Sequence, residues 1–289
     1  MTLVNPLDVK EVYRPKTIAE ALVLLAQRDV VPHPLAGGTG LLAGTASGVE
    51  AVIDLSLLGL DSLHVDEEGL HLGATATLQD VADSPLVASW SNGLLARAAR
   101  QAAPSVQRHQ RTVGGTVVGG SSEDDLLVAL LALDAQVTCY FPTERDEPHT
   151  CALETFLQEF RHRHPYLITD ISIPGAYREA RAHMERVSRA PRSKAIVNVA
   201  MSLQLEDNVI SAARLVVGGV ADVPLVLAPL ASRLVGQSLD EVQGVDVEGW
   251  VREHVPAFTD WQAGGAYRQH VAGVLARRVL EHCKDLRPA

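Results

Sequence analysis

Apolar positions in the first fifth of the chain follow two rhythms. Ile18, Ala21, Leu22 and Leu25 recur at the helical period behind Thr17-x-x-Glu20, which has the spacing of a capping box, so the pattern predicts a helix over 17–27. Val12 to Pro15 reads as an extended lead-in, and Pro32 and Pro34 rule out a continuation of the helix. The chain then runs as a strand into a glycine-rich loop at 35–44, and the β-branched run 51–55 predicts the next strand. Together these make a β-α-β-like unit with the glycine loop at one rim.

From 58 the period changes. Leu63, Val65, Leu70 and Leu72 alternate with His64, Asp66 and His71 about the turn Glu67-Glu68-Gly69, a hairpin pattern. Thr77-x-x-Asp80 predicts a capped short helix ended near Ser84-Pro85, and 93–103 is helical up to Pro104. Beyond a second glycine loop come a helix at 124–133 and a strand at 135–141. The segment 142–150 is polar and turn-like, 153–160 predicts a helix, and 166–173 a strand stopped by Pro174-Gly175. A polar link follows at 175–183. The runs 195–205 and 209–217 predict an antiparallel pair about Glu206-Asp207-Asn208, with short helices at 239–242 and 247–255 and a long amphipathic helix at 265–283. The division expected is 1–57, 58–176 and 177–289, without internal repeats.

Composition narrows the class. The 289 residues are 47% hydrophobic and 21% charged, as in a globular chain. A formal net charge of −10 disfavours a general nucleic-acid or anionic-membrane surface, with the basic clusters 107–111 and 161–164 as local exceptions. Cys139, Cys151 and Cys283 are scattered, which supplies neither a disulfide framework nor a set for an iron–sulfur cluster and points to a reducing compartment. The N-terminus has acids and prolines where a signal peptide has an apolar core, and no segment approaches the ~18 apolar residues of a membrane helix. A cytoplasmic location is the expectation.

Candidate chemistry concentrates in 112–135, which sets two Gly-Gly pairs, a run of small hydroxyls and a pair of acids before an apolar block. Glycines 114, 115, 119 and 120 allow close backbone approach to a ligand. Residues 35–44 repeat the recipe roughly 75 positions earlier, and two such loops can grip a long diphosphate. Paired glycines also mark ordinary turns, and that reading stays open. There is no Gly-x-Gly-x-x-Gly after a strand and no Lys-Ser/Thr of a P-loop. Glu123, Asp124 and Asp125 fall in the first turn of a helix, where acids favour the dipole. His162 and His164 read as a solvated loop rather than a metal site, Cys139 as a buried apolar residue, and no residue has the setting of an acid–base catalyst.

The two loops, in this order, resemble those of the medium, FAD-binding subunit of the molybdenum hydroxylases, which includes the carbon monoxide dehydrogenase flavoprotein and the xanthine dehydrogenase flavin domain. The family's first loop reads Ala-Gly-Gly-Thr/His-Asp/Ser-Leu-Leu, and here stands Ala36-Gly37-Gly38-Thr39-Gly40-Leu41-Leu42. Its second reads Arg-Asn-x-Ala-Thr-Ile-Gly-Gly-Asn-Ile, and here stands Arg108-His109-Gln110-Arg111-Thr112-Val113-Gly114-Gly115-Thr116-Val117, with Asp125 and Leu133-Asp134-Ala135 after it. Leu72-Gly73-Ala74 with Thr77, Ile171 to Pro174, Arg186 to Arg189, Val217-Gly218-Gly219-Val220 and Tyr267-Arg268 extend the likeness over nearly the whole chain.

The resemblance implies an α+β fold: two small α/β-like subdomains forming an FAD cleft of the PCMH type, and a C-terminal α+β domain with a small antiparallel sheet and a long terminal helix. It implies an oxidoreductase subunit whose FAD passes electrons from the [2Fe–2S] clusters of a small partner subunit, fed by a large molybdopterin subunit, to NAD, a quinone or oxygen. Carried over by position, Leu35, Ala36, Gly37, Gly38 and Thr39 line the flavin pyrophosphate, with Gly40 beyond. Thr112, Gly114, Gly115, Thr116 and Gly119 form the second wall, Asp125 bonds a sugar or ribityl hydroxyl, and Ala103, Ile168 and Arg186 approach the cofactor. Departures from the family pattern are Thr116 for Asn, Gly40 for a polar residue, and Met184 near an aromatic position. The alternative is a flavin-free assembly scaffold of the same fold; a free-standing flavin oxidoreductase is disfavoured because nothing resembles a substrate site.

Overall fold

The structure, a computed structural model, describes residues 9–27, 32–42, 49–142, 147–163, 165–190, 193–239, 242, 246–256 and 258–286. Thr17 opens α1 (Ile18–Leu25) by accepting from the Glu20 amide at 3.2 Å, while the Glu20 carboxylate takes the Lys16 amide at 2.7 Å. Its apolar stripe, Ala21, Leu22 and Leu25, packs on Ile53. Beneath it β1 (Glu11–Tyr13), β2 (His33–Leu35) and β3 (Ala51–Asp54) form a parallel sheet in the order β1-β3-β2. Parallel strands need crossover connections rather than tight turns, and α1 lies in the chain between β1 and β2, which flank β3 on either side. One turn, α2 (Thr39–Leu42), follows β2, and the end of the expected first loop lies outside the described residues.

The second sheet has the order β4-β5-β8-β6-β7, from β4 (Leu63–Val65), β5 (Gly69–Gly73), β6 (Gln136–Tyr140), β7 (Pro148–Ala152) and β8 (Leu167–Pro174). Every pairing in it is antiparallel, so this part is α+β in construction, its neighbours joined by hairpins or helical excursions. Its core face, which includes Leu70, Leu72, Ile171 and Ile173, is covered by α3 (Leu78–Asp83), α4 (Pro85–Ala88), α5 (Leu94–Ala102), α6 (Ser105–Arg108), α7 (Val113–Gly119) and α8 (Asp125–Ala132). α8 is buried along its whole length, because it lies between α5 and α7 on one side and the third sheet on the other. α9 (Leu153–Thr155) continues into a π-helical turn at Phe156–Phe160.

The third sheet runs β12-β11-β10-β9, from β9 (Arg181–Ser188), β10 (Ala195–Glu206), β11 (Val209–Gly218) and β12 (Leu225–Val226). α10 (Ala228–Leu234), α11 (Val247–His254) and α12 (Gly265–Asp285) complete it, and α12 lies along β9 and β10. The glycine pair ending β11 has two separate reasons. A Cβ at Gly218 would come within 2.7 Å of Val128 on α8, and Gly219 has φ +76°. The buried Arg268 of α12 donates to the Gly219 carbonyl at 2.7 Å, joining the terminal helix to that turn.

Four local expectations change, and a fifth falls partly outside the described residues. The second glycine stretch is not a loop but α7: Thr112 caps it, and Gly114 lets it sit directly on Ala74, whose Cβ would lie 2.9 Å from a Cβ at 114. The polar link at 175–183 holds a 3-10 turn, Gly175–Tyr177, and the start of β9, which hides Ala182 and Met184 on alternate positions; Met184 is thus a core residue. The turn-like 142–150 contains most of β7, an edge strand with Pro148 at its first position, where no ladder amide is needed. The helix at 153–160 is α9 plus the π turn. Of 239–242, residues 240 and 241 lie outside the described residues.

Candidate functional site

The first glycine loop meets the second stretch through bare backbone. Gly38 adopts φ +70°, which turns the chain out of β2. Gly37 is pressed against the Gln110 carbonyl, so that a Cβ at 37 would overlap it and reach within 3.3 Å of the Arg111 amide. Only glycine permits this approach. Leu35 ends β2, Ala36 and Gly40 are exposed, and Thr39 starts α2 half-buried.

Beyond that contact α7 begins. The Thr112 hydroxyl accepts from the Gly115 amide at 3.1 Å, and the Gly114 amide donates to the Ala74 carbonyl at 2.9 Å. Gly115 and Gly119, four residues apart, share the exposed side of the helix. A Cβ at Gly119 would meet nothing within 4 Å, and one at Gly115 only the Thr112 hydroxyl. Nothing in the described chain demands glycine at 119; what glycine leaves there is open backbone. Arg161 holds the far end of the helix, donating to the Val118 carbonyl at 2.8 Å and to that of Gly120.

Thr116 points inward. It is fully buried, and its hydroxyl donates to the Thr112 carbonyl at 2.9 Å while accepting from Arg111 Nε at 3.2 Å. Arg111 also pairs with the buried Asp124. Two departures from the family pattern, arginine for Ala at 111 and threonine for Asn at 116, are thereby in contact.

At the start of α8, Asp125 joins Arg186 of β9 and Asn198 of β10. Its Oδ2 is 2.6 Å from Arg186 Nη1, and its Oδ1 accepts from Asn198 Nδ2 at 2.7 Å. Burial pushes the Asp125 carboxyl up to about 6, against the opposing pull of Arg186 and the Asn198 bond. Arg186 also donates to the Gln101 carbonyl at 3.2 Å and to that of Ser193, so the end of α5 belongs to the same cluster. Ala103 ends α5, buried, with its carbonyl held by Arg108 at 2.9 Å. Ile168 is buried on β8 opposite Cys139. Arg111, Asn198 and Arg161 escaped the reading of the sequence. The signal for Asn198 was an amide inside the apolar run 195–200; Arg111 and Arg161 each sat in a basic cluster with nothing to single them out.

Glu123 forms an ion pair with Lys194 at 3.6 Å, and Asp124 caps α8 by accepting from the Leu126 amide at 3.2 Å, in keeping with acids at a helix start. His162 is exposed and His164 lies outside the described residues. A cavity of about 760 Å³ is lined mainly by α11 and α12 residues, including Arg252, Arg277 and Glu281, and by neither glycine stretch.

A family model described as "FAD binding domain in molybdopterin dehydrogenase" matches residues 7–176, and one described as "CO dehydrogenase flavoprotein C-terminal domain" matches 182–283. The chain belongs to the FAD-binding family of the molybdopterin dehydrogenases. Among relatives, the carbon monoxide dehydrogenase medium chain of Afipia carboxidovorans is 27% identical over 281 residues, 94% of this chain and 96% of the relative. The nicotinate dehydrogenase FAD-subunit of Eubacterium barkeri is 34% identical over 132 residues, 44% of each chain. The solved reconstituted CO dehydrogenase from Oligotropha carboxidovorans superposes with TM-score 0.87 at 24% identity, over 97% of this chain and 99% of that one, a likeness of fold.

As a family member the chain is an FAD-binding oxidoreductase component, and its own residues fit that cofactor. The Gly119 backbone is open to close approach by a ligand, and two buried polar atoms beside Asp125, Arg186 Nε and Asn198 Oδ1, have no partner.

Proposed function

We propose that this chain is the flavin-carrying electron-transfer subunit of a heteromeric molybdenum hydroxylase, working with a large molybdopterin subunit and a small two-[2Fe–2S] subunit. The observation that carries the reading is the backbone-on-backbone contact of Gly37 with Gln110, which sets the first glycine loop beside the start of α7. FAD held there would supply the redox chemistry that links the clusters to an acceptor such as NAD, a quinone or oxygen.

The chain's residues bind and orient. Leu35 to Gly40 form one wall of a diphosphate groove, and Thr112, Gly114, Gly115 and Gly119 offer the other, with Gly119 as the point of closest approach. Thr116 contributes through its hold on Arg111 and the cap of α7. Asp125, kept in place by Arg186 and Asn198, presents an acceptor to a ribityl or sugar hydroxyl, while Ala103 and Ile168 add apolar surface. The parts 1–57, 58–176 and 177–289 each centre on one of the three sheets. A cytoplasmic complex accords with the free cysteines, and among the described residues no helix is long and apolar enough to cross a membrane.

The inward Thr116 hydroxyl favours the rival, a scaffold of the same fold that carries no flavin. Co-expression with neighbouring molybdopterin and two-cluster subunits separates the two readings. The expected result is one assembly with bound flavin that bleaches on reduction and recovers with an acceptor. A stoichiometric assembly without flavin would establish the scaffold instead.

A further inference from the structure

The hairpin β4–β5 carries a second cluster of side chains on the face of the five-stranded sheet turned away from the main core. His64 and His71 are directly opposite in register, and their rings stack at 4.9 Å with 13° between planes. Asp66, two positions beyond His64, brings Oδ1 to 3.2 Å from His71 Nε2. That oxygen also accepts the Glu68 and Gly69 amides at 2.8 and 3.1 Å, so the turn fixes the carboxylate. On β8, Asp170 Oδ2 lies 2.8 Å from His71 Nδ1. With a proton on Nδ1 shared with Asp170, Nε2 is the atom open to a metal, which would displace the Nε2 proton now held against Asp66.

We propose that His64, His71 and Asp66 form a binding site for a divalent transition ion such as zinc, with Asp170 as the positioning residue. One ligand atom from each of the three lies within 4.8 Å of the others. In a tetrahedral zinc site with bonds of about 2.0–2.2 Å the ligand atoms stand roughly 3.3 Å apart, a spacing His71 Nε2 and Asp66 Oδ1 already have. His64 is exposed, and a side-chain rotation out of the stack completes the set. Two imidazoles and one carboxylate select zinc, nickel, cobalt or copper over magnesium or calcium, and three protein ligands leave a position for water. Asp170 behind His71 is the carboxylate–histidine pairing that fixes tautomer and ring in metal sites.

Charge separates this cluster from its counterpart. His183, Glu185 and His282 have a similar donor set and a similar ring stack, 4.4 Å apart. Burial first, and then the His282 and Arg97 charges, hold His183 below its usual range, and the same Arg97 charge repels a cation. At the hairpin, neither Asp66 nor Asp170 is paired with a lysine or arginine among the described residues, and Glu67 and Glu68 flank the turn.

The inference does not depend on the flavin reading and can fail separately. Full-length, untagged chain is stripped with a chelator and titrated with zinc by calorimetry. The expected result is one saturable site per chain, weakened at least tenfold by His64→Ala, an exposed position whose loss leaves the fold intact. Asp170→Asn should keep the stoichiometry and weaken binding about 10-fold or more, while His183→Ala leaves it unchanged. Zinc binding unaltered by His64→Ala, binding lost in His183→Ala instead, or no saturable binding would each overturn the assignment.

Discussion

Gly119 separates binding from stability more sharply than any other residue of the site. It is helical, exposed and free of neighbours within 4 Å of a prospective Cβ, so Gly119→Leu replaces a poor helix former with a good one. The variant should fold at least as stably as the wild type, by up to about 1 kcal/mol in denaturant titration, yet bind FAD at least ten times more weakly. Unchanged FAD affinity would remove Gly119 from the site. Arg111 is expected to behave oppositely. Arg111→Ala leaves Asp124 buried without its partner and should cost about 3 kcal/mol, measured as a shift in denaturation midpoint, with Arg111→Ala/Asp124→Asn recovering part of it. Equal losses in the single and double variants would show that the pair is not coupled. The sharp turn of the first glycine stretch was legible in the sequence, because paired glycines favour the positive φ that Gly38 adopts. The inward turn of Thr116 was not, since a hydroxyl's direction depends on Arg111 and on the cap of α7, which no local pattern encodes.

α8 meets the third sheet where Asp125 is buried. Its folded carboxyl titrates at about 6, above the ordinary value, so the native state holds this proton more tightly than the unfolded chain does. The resulting contribution to stability is fully present below about pH 4 and is lost as pH rises through about 6. The stability of the wild type relative to Asp125→Asn should therefore fall between those limits, by an amount on the order of 3 kcal/mol, and level off above. A difference that stays flat across the interval would contradict the assigned environment. The long amphipathic helix α12, the hairpins β4–β5 and β10–β11, and the capped helices α1 and α3 were all readable from period and capping residues. α7 was not, because four glycines in nine positions argue against a helix; it persists through the Thr112 cap and the close seat of Gly114 on Ala74. β7 and β9 were missed for a shared reason. Both are edge strands whose outward positions are polar, so their alternation rests on small residues such as Cys151 and Ala182.

At the scale of the whole molecule, one parallel and two antiparallel sheets are tied together by long-range contacts. Leu167 of the second sheet packs into the core beneath α1, and α8 lies between α5 and the third sheet. The buried Arg186–Asp125 contact then ties the third sheet to the helix that follows the glycine stretch. Family membership and α+β class were legible because motifs recur in order along nearly the whole chain; how the three parts pack was not, because those contacts join residues far apart in sequence, as Arg186 with Asp125, 61 positions away. The central claim, that this chain holds FAD, is tested most directly by titrating full-length flavin-free chain with FAD, following flavin fluorescence and absorbance, with chromatographic identification of the bound cofactor. The expected result is saturation at roughly one FAD per chain in the wild type and marked weakening in Gly119→Leu. A wild-type chain that takes up no FAD, alone or assembled with its partner subunits, would contradict it.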